Sequence, residues 1–351
     1  MKVILHEMKM PMRHPFTITH GTTVLQHNVI VELQAEGLSG YGEAASSRAW
    51  PEFSPATVRQ GIQEARSFLE TCAWERPEEL WAALHSRLGH NPFALCAVDE
   101  AAHDLWGKRL GAPVWKLWGL SIDQVPVSNY TIGLDSVDRM VAKLNEFPGW
   151  PVYKIKLGSP HDLEIMRELR HHTAAVFRVD ANTAWTVEQT LNLAPELLQL
   201  GVEFIEQPLP RGDIDGMKRL LAECPLPLIA DESCQEEADV ERCAGLFHGI
   251  NIKLTKAGGL TPARRMIQRA RELGLKVMVG CMNESSAGIS AIGQLLPLLD
   301  YVDMDGSVLI ARDPARGVFL DHGKPVFPET AGNGVSLIPE ILEELRVPLE
   351  P

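Results

Sequence analysis

Apolar and polar positions change rhythm along the chain. "TTVLQHNVIVELQAEGLSGYGEA" (22–44) alternates and then turns on glycines, which predicts strands joined as a hairpin or meander. "SPATVRQGIQEARSFLETC" (54–72) and "NPFALCAVDEAAHDLWGKRLG" (91–111) have helical spacing, and Gly111 is placed to cap the second helix. Residues 1 to about 120 therefore read as a small α+β unit. Beyond that point, short apolar runs recur, each followed by a helical segment. They are "VPVSNYTIG" (125–133), "VYKIKLG" (152–158), "FRVDAN" (177–182), "VEFIEQP" (202–208), "LPLIADES" (226–233), "GINIKLTKAGG" (249–259), "LKVMVGCM" (275–282) and "YVDMDG" (301–306). From 156 to 305 their marker residues step at intervals of 22 to 28, one βα unit each. Eight such units predict an α/β fold of the (β/α)8 barrel type rather than an open doubly wound sheet. The segment after the last run, "SVLIARDPARG", is short for a full outer helix, and the tail from about 315 to 351 is expected to return to the first unit.

In such a barrel, chemistry sits at the C-terminal ends of the strands. Those ends present Thr131; Lys154 and Lys156; Asp180 with Asn182; Glu206; Asp231 with Glu232; Lys253 with Lys256; Cys281 and Met282; and Asp303 with Asp305. One acid alone at a strand end is more often a cap or a loop charge. Three from successive strands, Asp180, Glu206 and Asp231, converge, and bare carboxylates so placed repel and resist ionising together. A hard divalent cation resolves this, and an all-oxygen ligand set suits Mg2+. Lys156 and Lys253 fall on strands opposite each other and flank whatever the metal holds. Lys154 shares the face of Lys156 at i, i+2. A lysine beside a cation and a second lysine is expected to have a lowered pKa and to work as a base near neutral pH.

The motifs "KIK", "VDAN", "IEQP", "ADES", "NIKLTKAGG" and "GCMNESS" together resemble the enolase superfamily in its muconate-cycloisomerase-like branch. The resemblance covers nearly the whole chain. It implies a (β/α)7β TIM-like barrel over 121–314 and an α+β capping domain over 1–120, completed by 315–351. It implies Mg2+ on Asp180, Glu206 and Asp231, with Lys156 and Lys253 as paired acid/base groups, Lys253 being preferred to Lys256. The chemistry implied is removal of a proton α to a carboxylate, through an enediolate, and its return from the far face. Asp303 and Asp305, expected side by side on the last strand, are similar to the D-x-D of dipeptide epimerases, where the pair binds the substrate's α-ammonium. The implied activity is Mg2+-dependent epimerisation at the C-terminal residue of a dipeptide. N-acylamino acid racemisation, o-succinylbenzoate synthesis and muconate cycloisomerisation are the alternatives within the family, and a non-catalytic binding barrel is a remote one.

One feature departs from the pattern of Ala-Glu epimerases, which place an arginine in the early capping loop. "HPFTITHGTTVLQHN" carries His14, His20 and His27, and no arginine stands between Arg13 and Arg48. Hydrophobic or mixed dipeptides are expected in place of a strict acidic preference. Arg48, in the second loop "SSRAWPEF" (46–53), stands as a partial replacement for the missing cation, with Trp50 as a pocket wall.

Composition adds little and excludes some things. Hydrophobic residues make up 45% and charged residues 23%, as in ordinary globular proteins. The net charge of -13 offers no basic footprint for nucleic acid or an anionic membrane. Six dispersed cysteines without a C-x-x-C pair read as reduced thiols. No signal peptide and no apolar run of membrane-spanning length is recognised, so a cytoplasmic address is expected. The family resemblance implies a homo-oligomer.

Overall fold

The computed structural model describes residues 1–347. It opens with an antiparallel sheet, β1 (Lys2–Ile18), β2 (Gly21–Ala35) and β3 (Leu38–Ala45), in that order. The run Val29–Leu33 is buried on both faces. Val29, Val31 and Leu33 pack with three helices, whereas Ile30 joins Met8 and Met10 in the core that continues into the barrel. The sheet is thus a middle layer, which explains why its apolar positions run together where strict alternation would be expected.

The three helices are α1 (Pro55–Thr71), α2 (Pro77–Leu88) and α3 (Pro92–Leu110). Ser54 and Asn91 cap α1 and α3 by accepting from the amides of Thr57 and Ala94, and Pro opens each helix. Gly111 closes α3 in the left-handed conformation, φ 67°. Residues Phe93 to Gly107 of α3 are all buried, because this helix lies between sheet and barrel. Gly40 and Gly42 permit that approach: a Cβ at either would come within 2.2 Å of the Ala101 or Ala97 carbonyl oxygen.

The barrel strands are β4 (Tyr130–Ile132), β5 (Val152–Lys156), β6 (Val176–Asp180), β7 (Val202–Glu206), β8 (Leu228–Ala230), β9 (Gly249–Ile252), β10 (Lys276–Gly280) and β11 (Tyr301–Asp303). All eight pair in parallel in chain order. A parallel bridge between Ser128 and Val302 joins the first strand segment to the last. Helices of 7 to 13 residues separate the strands, but only the four-residue turn Gly306–Leu309 follows β11. This is the (β/α)7β form of the TIM barrel, preceded in the chain by an antiparallel capping sheet.

Three details differ from the sequence expectation. Asp305 is not on the last strand. β11 ends at Asp303, and Asp305 caps the helical turn that follows, at φ -89° and ψ 8°. Strand alternation stops at Lys253, which is still extended at φ -113° and ψ 126°, because the chain turns helical at Leu254 and carries Thr255 off that face. Asp231 likewise stands one residue past β8. The apolar runs mark the strands, but alternation fails where a strand bends into its following helix.

The segment after the barrel returns to the first unit. Ala311 donates to the Pro11 carbonyl, Val347 to that of Glu7, and the Asn333 amide to Asp104 on α3. Residues 348–351 of the expected tail lie outside the described residues. The six cysteines are all free thiols. Among the described residues no helix is long and apolar enough to cross a membrane.

Candidate active site

A cavity of about 410 Å3 opens at the C-terminal mouth of the barrel, under the capping loops. Thr131, Lys154, Lys156, Asn182, Asp231, Glu232 and Lys253 line its floor; Cys281, Met282, Asp303 and Asp305 line one side; His20, Arg48 and Trp50 line its lid. Asp180 and Glu206 are fully buried just beneath. Lys256 stands behind Asp231 and does not face the cavity.

The carboxylates of Asp180, Glu206 and Asp231 approach so closely that one oxygen of each lies within 4.8 Å of the others. Successive parallel strands cause this, since Asp180 and Glu206 are register partners and Asp231 follows the next strand. Side chains from neighbouring motifs aim them. Asn251 donates to Glu206 Oε1 at 2.8 Å, an approach that Gly280 allows, because a Cβ there would meet the Asn251 amide at 2.7 Å. Gln207 accepts from the Asp231 amide at 3.0 Å and so ties the end of β7 to the end of β8. Gln207, Asn182 and Thr183 hold positive φ angles of 37°, 41° and 67°, so local backbone strain collects beside the acids.

Lysines neutralise this acidic core. Lys154 Nζ lies 2.8 Å from Glu206, 2.8 Å from Asp303 and 3.3 Å from Asp180. Lys156 reaches Asp180 at 2.6 Å, and Lys253 and Lys256 take the two oxygens of Asp231 at 2.8 and 2.5 Å. β5 and β9 are four strands apart in an eight-stranded barrel, so Lys156 and Lys253 approach from opposite walls.

Two of these lysines are held charged by the acids around them. Burial pushes Lys154 down, but Asp303, Glu206 and Asp180 outweigh it and hold the ammonium charged. Burial likewise disfavours charged Lys253, and Asp231 reverses the balance. The acids respond in turn. Burial raises Asp231 and Asp180, but Lys253 and Lys256 on the one, and Lys156 and Lys154 on the other, hold both below the ordinary carboxylate range. Glu206 is pushed up by burial and by Asp180, and Glu232 rises to about 8 by burial and its neighbours Asp231 and Asp180.

Three converging, buried, oxygen-only donors on a rigid barrel fit a small hard cation such as Mg2+. The second acidic group differs. Burial, then Asp303, raises the Asp305 carboxyl well above its usual range, while Lys154 outweighs burial and keeps Asp303 ionised. Asp305 also accepts from the Thr131 amide at 2.5 Å. Asp303 and Asp305 thus still meet at one end of the cavity, although only the first is on the strand.

Residues 1–119 match the family described as the mandelate racemase / muconate lactonizing enzyme N-terminal domain. Residues 136–341 match the enolase C-terminal domain-like family. The chain belongs to the enolase superfamily. Its superfamily relatives include a Maribacter protein named L-Ala-D/L-amino acid epimerase, 50% identical, the match covering 96% of this chain and 99% of that one. A Roseobacter litoralis protein named hydrophobic dipeptide epimerase is 34% identical over 95% of this chain and 98% of its own. Among solved structures, the dipeptide epimerase of Cytophaga hutchinsonii complexed with Mg and D-Ala-L-Val superposes with a TM-score of 0.91. It is 27% identical, with 98% of this chain and 97% of that chain covered.

Sequence reasoning passed over several residues that build this superfamily site. Gln26 and Asn28 of the capping sheet bond to Asn283 beyond β10, so the lid is fastened to the barrel mouth. Glu284, whose carboxylate accepts from the Met282 amide, is pushed up to about 8 by burial and by Glu43. "NESS" carried the signal, a buried acid in the loop after a strand, but the capping-sheet partners of Asn283 and Ser285 lie 242 to 257 residues away in the chain. His14 and His27, read as lid residues, spend their rings on Glu146 and Glu7.

Proposed function

We propose that this protein is a Mg2+-dependent dipeptide epimerase that inverts the α-carbon of the C-terminal residue. The observation that carries the reading is one cavity with the three-carboxylate cluster at and just beneath its floor, two opposed lysines beside it, and the Asp303–Asp305 pair at its side. The relatives that act on dipeptides support it. Asp180, Glu206 and Asp231 would hold the metal, which supplies a Lewis acid for charge developing on the substrate carboxylate. Lys156 and Lys253 stand on the two faces of the α-carbon. One enters neutral and takes the α-proton; the other enters as the ammonium and returns a proton from the opposite face, which inverts the centre. Lys154, held charged by three acids, adds fixed positive charge beside the substrate carboxylate.

The substrate's α-ammonium takes the Asp303–Asp305 pair, and its charge offsets the burial and the Asp303 charge that together raise Asp305. Substrates without an ammonium, such as N-acylamino acids or muconate, leave that pair uncompensated. Asp305→Gly is therefore expected to lower kcat/KM for dipeptides by about 10- to 100-fold, while leaving a substrate without an ammonium within a few fold. Steady-state kinetics on both substrate types check this, and equal losses on both count against the ammonium role.

Arg48 bears on the C-terminal side chain. It lines the lid with its aliphatic stem toward Gly21. Hydrophobic and mixed dipeptides fit a wall of Phe16, Ile18 and Trp50 with this single lid guanidinium. Arg48→Ala is expected to reduce turnover of L-Ala-L-Glu roughly tenfold and to spare L-Ala-L-Leu. A panel in which L-Ala-L-Glu is the best substrate by a wide margin contradicts the broad preference. A cytoplasmic address, consistent with six free thiols, and a homo-oligomeric state belong to the same reading.

A further inference from the structure

Arg178 is an unusual residue for a barrel interior. It lies on β6 two residues before Asp180, so it points inward one layer beneath the acidic core. That layer ordinarily holds branched apolar side chains. Here a guanidinium is 4% exposed. Its Nε donates to Glu203 at 2.8 Å, and it stacks 5.3 Å from the Phe204 ring and 5.1 Å from Tyr301. Those contacts alone would make it a filler of the barrel base. Its Nη1, however, points upward. It donates to the carbonyl of Val302, the residue before Asp303, at 3.0 Å, and to Asn129 Oδ1 at 3.5 Å.

Asn129 is fully buried and precedes β4. Its amide NH2 donates to Asp303 Oδ1 at 2.8 Å and to Thr131 Oγ1 at 3.2 Å. The flipped amide would set its carbonyl against the Asp303 carboxylate and its NH2 against the guanidinium. A guanidinium carries donors only, so Arg178 adds to the preference of Asp303 for one orientation: carbonyl toward Arg178, NH2 toward Asp303. The same guanidinium fixes the backbone on which Asp303 rides. Asp303 then has one oxygen on Asn129 and the other on Lys154, and its carboxylate plane is set before any substrate arrives.

We propose that Arg178 and Asn129 are positioning residues for the substrate's ammonium group, acting through Asp303. Neither faces the cavity. They orient the carboxylate whose neighbour Asp305 completes the cationic subsite, and Thr131, bonded to both acids, closes the array. The inference rests on the reading of Asp303 and Asp305 as the ammonium site.

The test compares three full-length variants with the wild type: Asn129→Leu, Arg178→Met and Arg178→Lys. Two quantities are measured for each. One is the kcat and KM of L-Ala-L-Leu. The other is the inhibition constant of N-propionyl-L-leucine, the same molecule with hydrogen in place of the ammonium. Asn129→Leu and Arg178→Met are expected to raise the dipeptide KM about tenfold or more, with kcat and the propionyl inhibition constant changed by less than about threefold. Arg178→Lys is expected to recover part of the loss, because a lysine keeps one donor toward Asn129. Arg178→Met leaves Glu203 one-third exposed and free to turn to water, so it strands no buried charge and serves if Asn129→Leu does not fold. Unchanged dipeptide KM, or equal losses of dipeptide and propionyl affinity, overturns the proposal in favour of barrel filling. A wild type that binds the two molecules equally well overturns the ammonium reading itself, and the positioning role with it.

Discussion

Lys156→Ala and Lys253→Ala are each expected to lower epimerisation by about a thousandfold or more in kcat, the upper range for removing a positioned acid/base group. The geometry leaves no substitute. Lys154 is committed to Glu206, Asp303 and Asp180, and Lys256 lies behind Asp231 with its other bonds to the carbonyls of Asp231 and Cys234. Neither ammonium reaches the face that its neighbour would vacate. The two losses are expected to differ in kind. With Lys156 gone, Lys253 still meets the epimer whose C–H bond points toward β9, and exchanges that proton with solvent without inverting the centre. With Lys253 gone, the other epimer exchanges. Incubating each pure diastereomer in D2O and reading label and configuration separately checks this. Epimerisation that survives either substitution contradicts the two-wall arrangement.

The second large effect is metal dependence. Chelation followed by dialysis is expected to abolish turnover, by about a thousandfold or more, and Mg2+ to restore it. The reason lies in the acidic core. Asp180, Glu206 and Asp231 bring three buried carboxylates within 4.8 Å, and the four lysines around them balance charge without offering a Lewis acid. Binding to the folded state alone also stabilises it, by about 2.7 kcal/mol when the cation stands at a hundred times its dissociation constant. Mg2+ is therefore expected to raise Tm by several degrees. Asp231→Asn should remove that rise. Because this substitution also takes a charge partner from Lys253 and Lys256, the metal-induced change in Tm is the informative quantity, rather than Tm itself. Full activity in chelator, or a Tm indifferent to Mg2+, contradicts the ligand assignment.

The barrel was legible in the sequence because each strand is a short apolar run with a chemical residue at or beside its end. Lys156, Asp180 and Glu206 are the last residues of their strands. Their convergence follows from parallel register and requires no side-chain detail. What the sequence hid depends on contacts between distant segments. Lys154 looked like a tuner of Lys156, yet it bridges past β4 to Asp303, 149 residues away in the chain. Period-two alternation placed Asp305 beside Asp303 on a strand. The chain turns there into a helix, and the two acids meet through the turn. Asn251 carried no functional signal beyond sharing a face with Lys253, although it aims Glu206. The lid was the least legible part. Loop sequences do not announce which of their histidines find a glutamate, and His14 and His27 did, whereas Arg48 lies in the cavity wall.

The most direct measurement is solvent-deuterium incorporation into a mixed library of L,L-dipeptides, with purified protein and Mg2+ in D2O, read by mass spectrometry. The account predicts label at the α-carbon of the C-terminal residue, with L-Ala-hydrophobic members among the first labelled and the D-configured epimers accumulating beside them. No label in any dipeptide, with bound metal confirmed, contradicts it and turns the search to N-acylamino acids and cycloisomerase substrates.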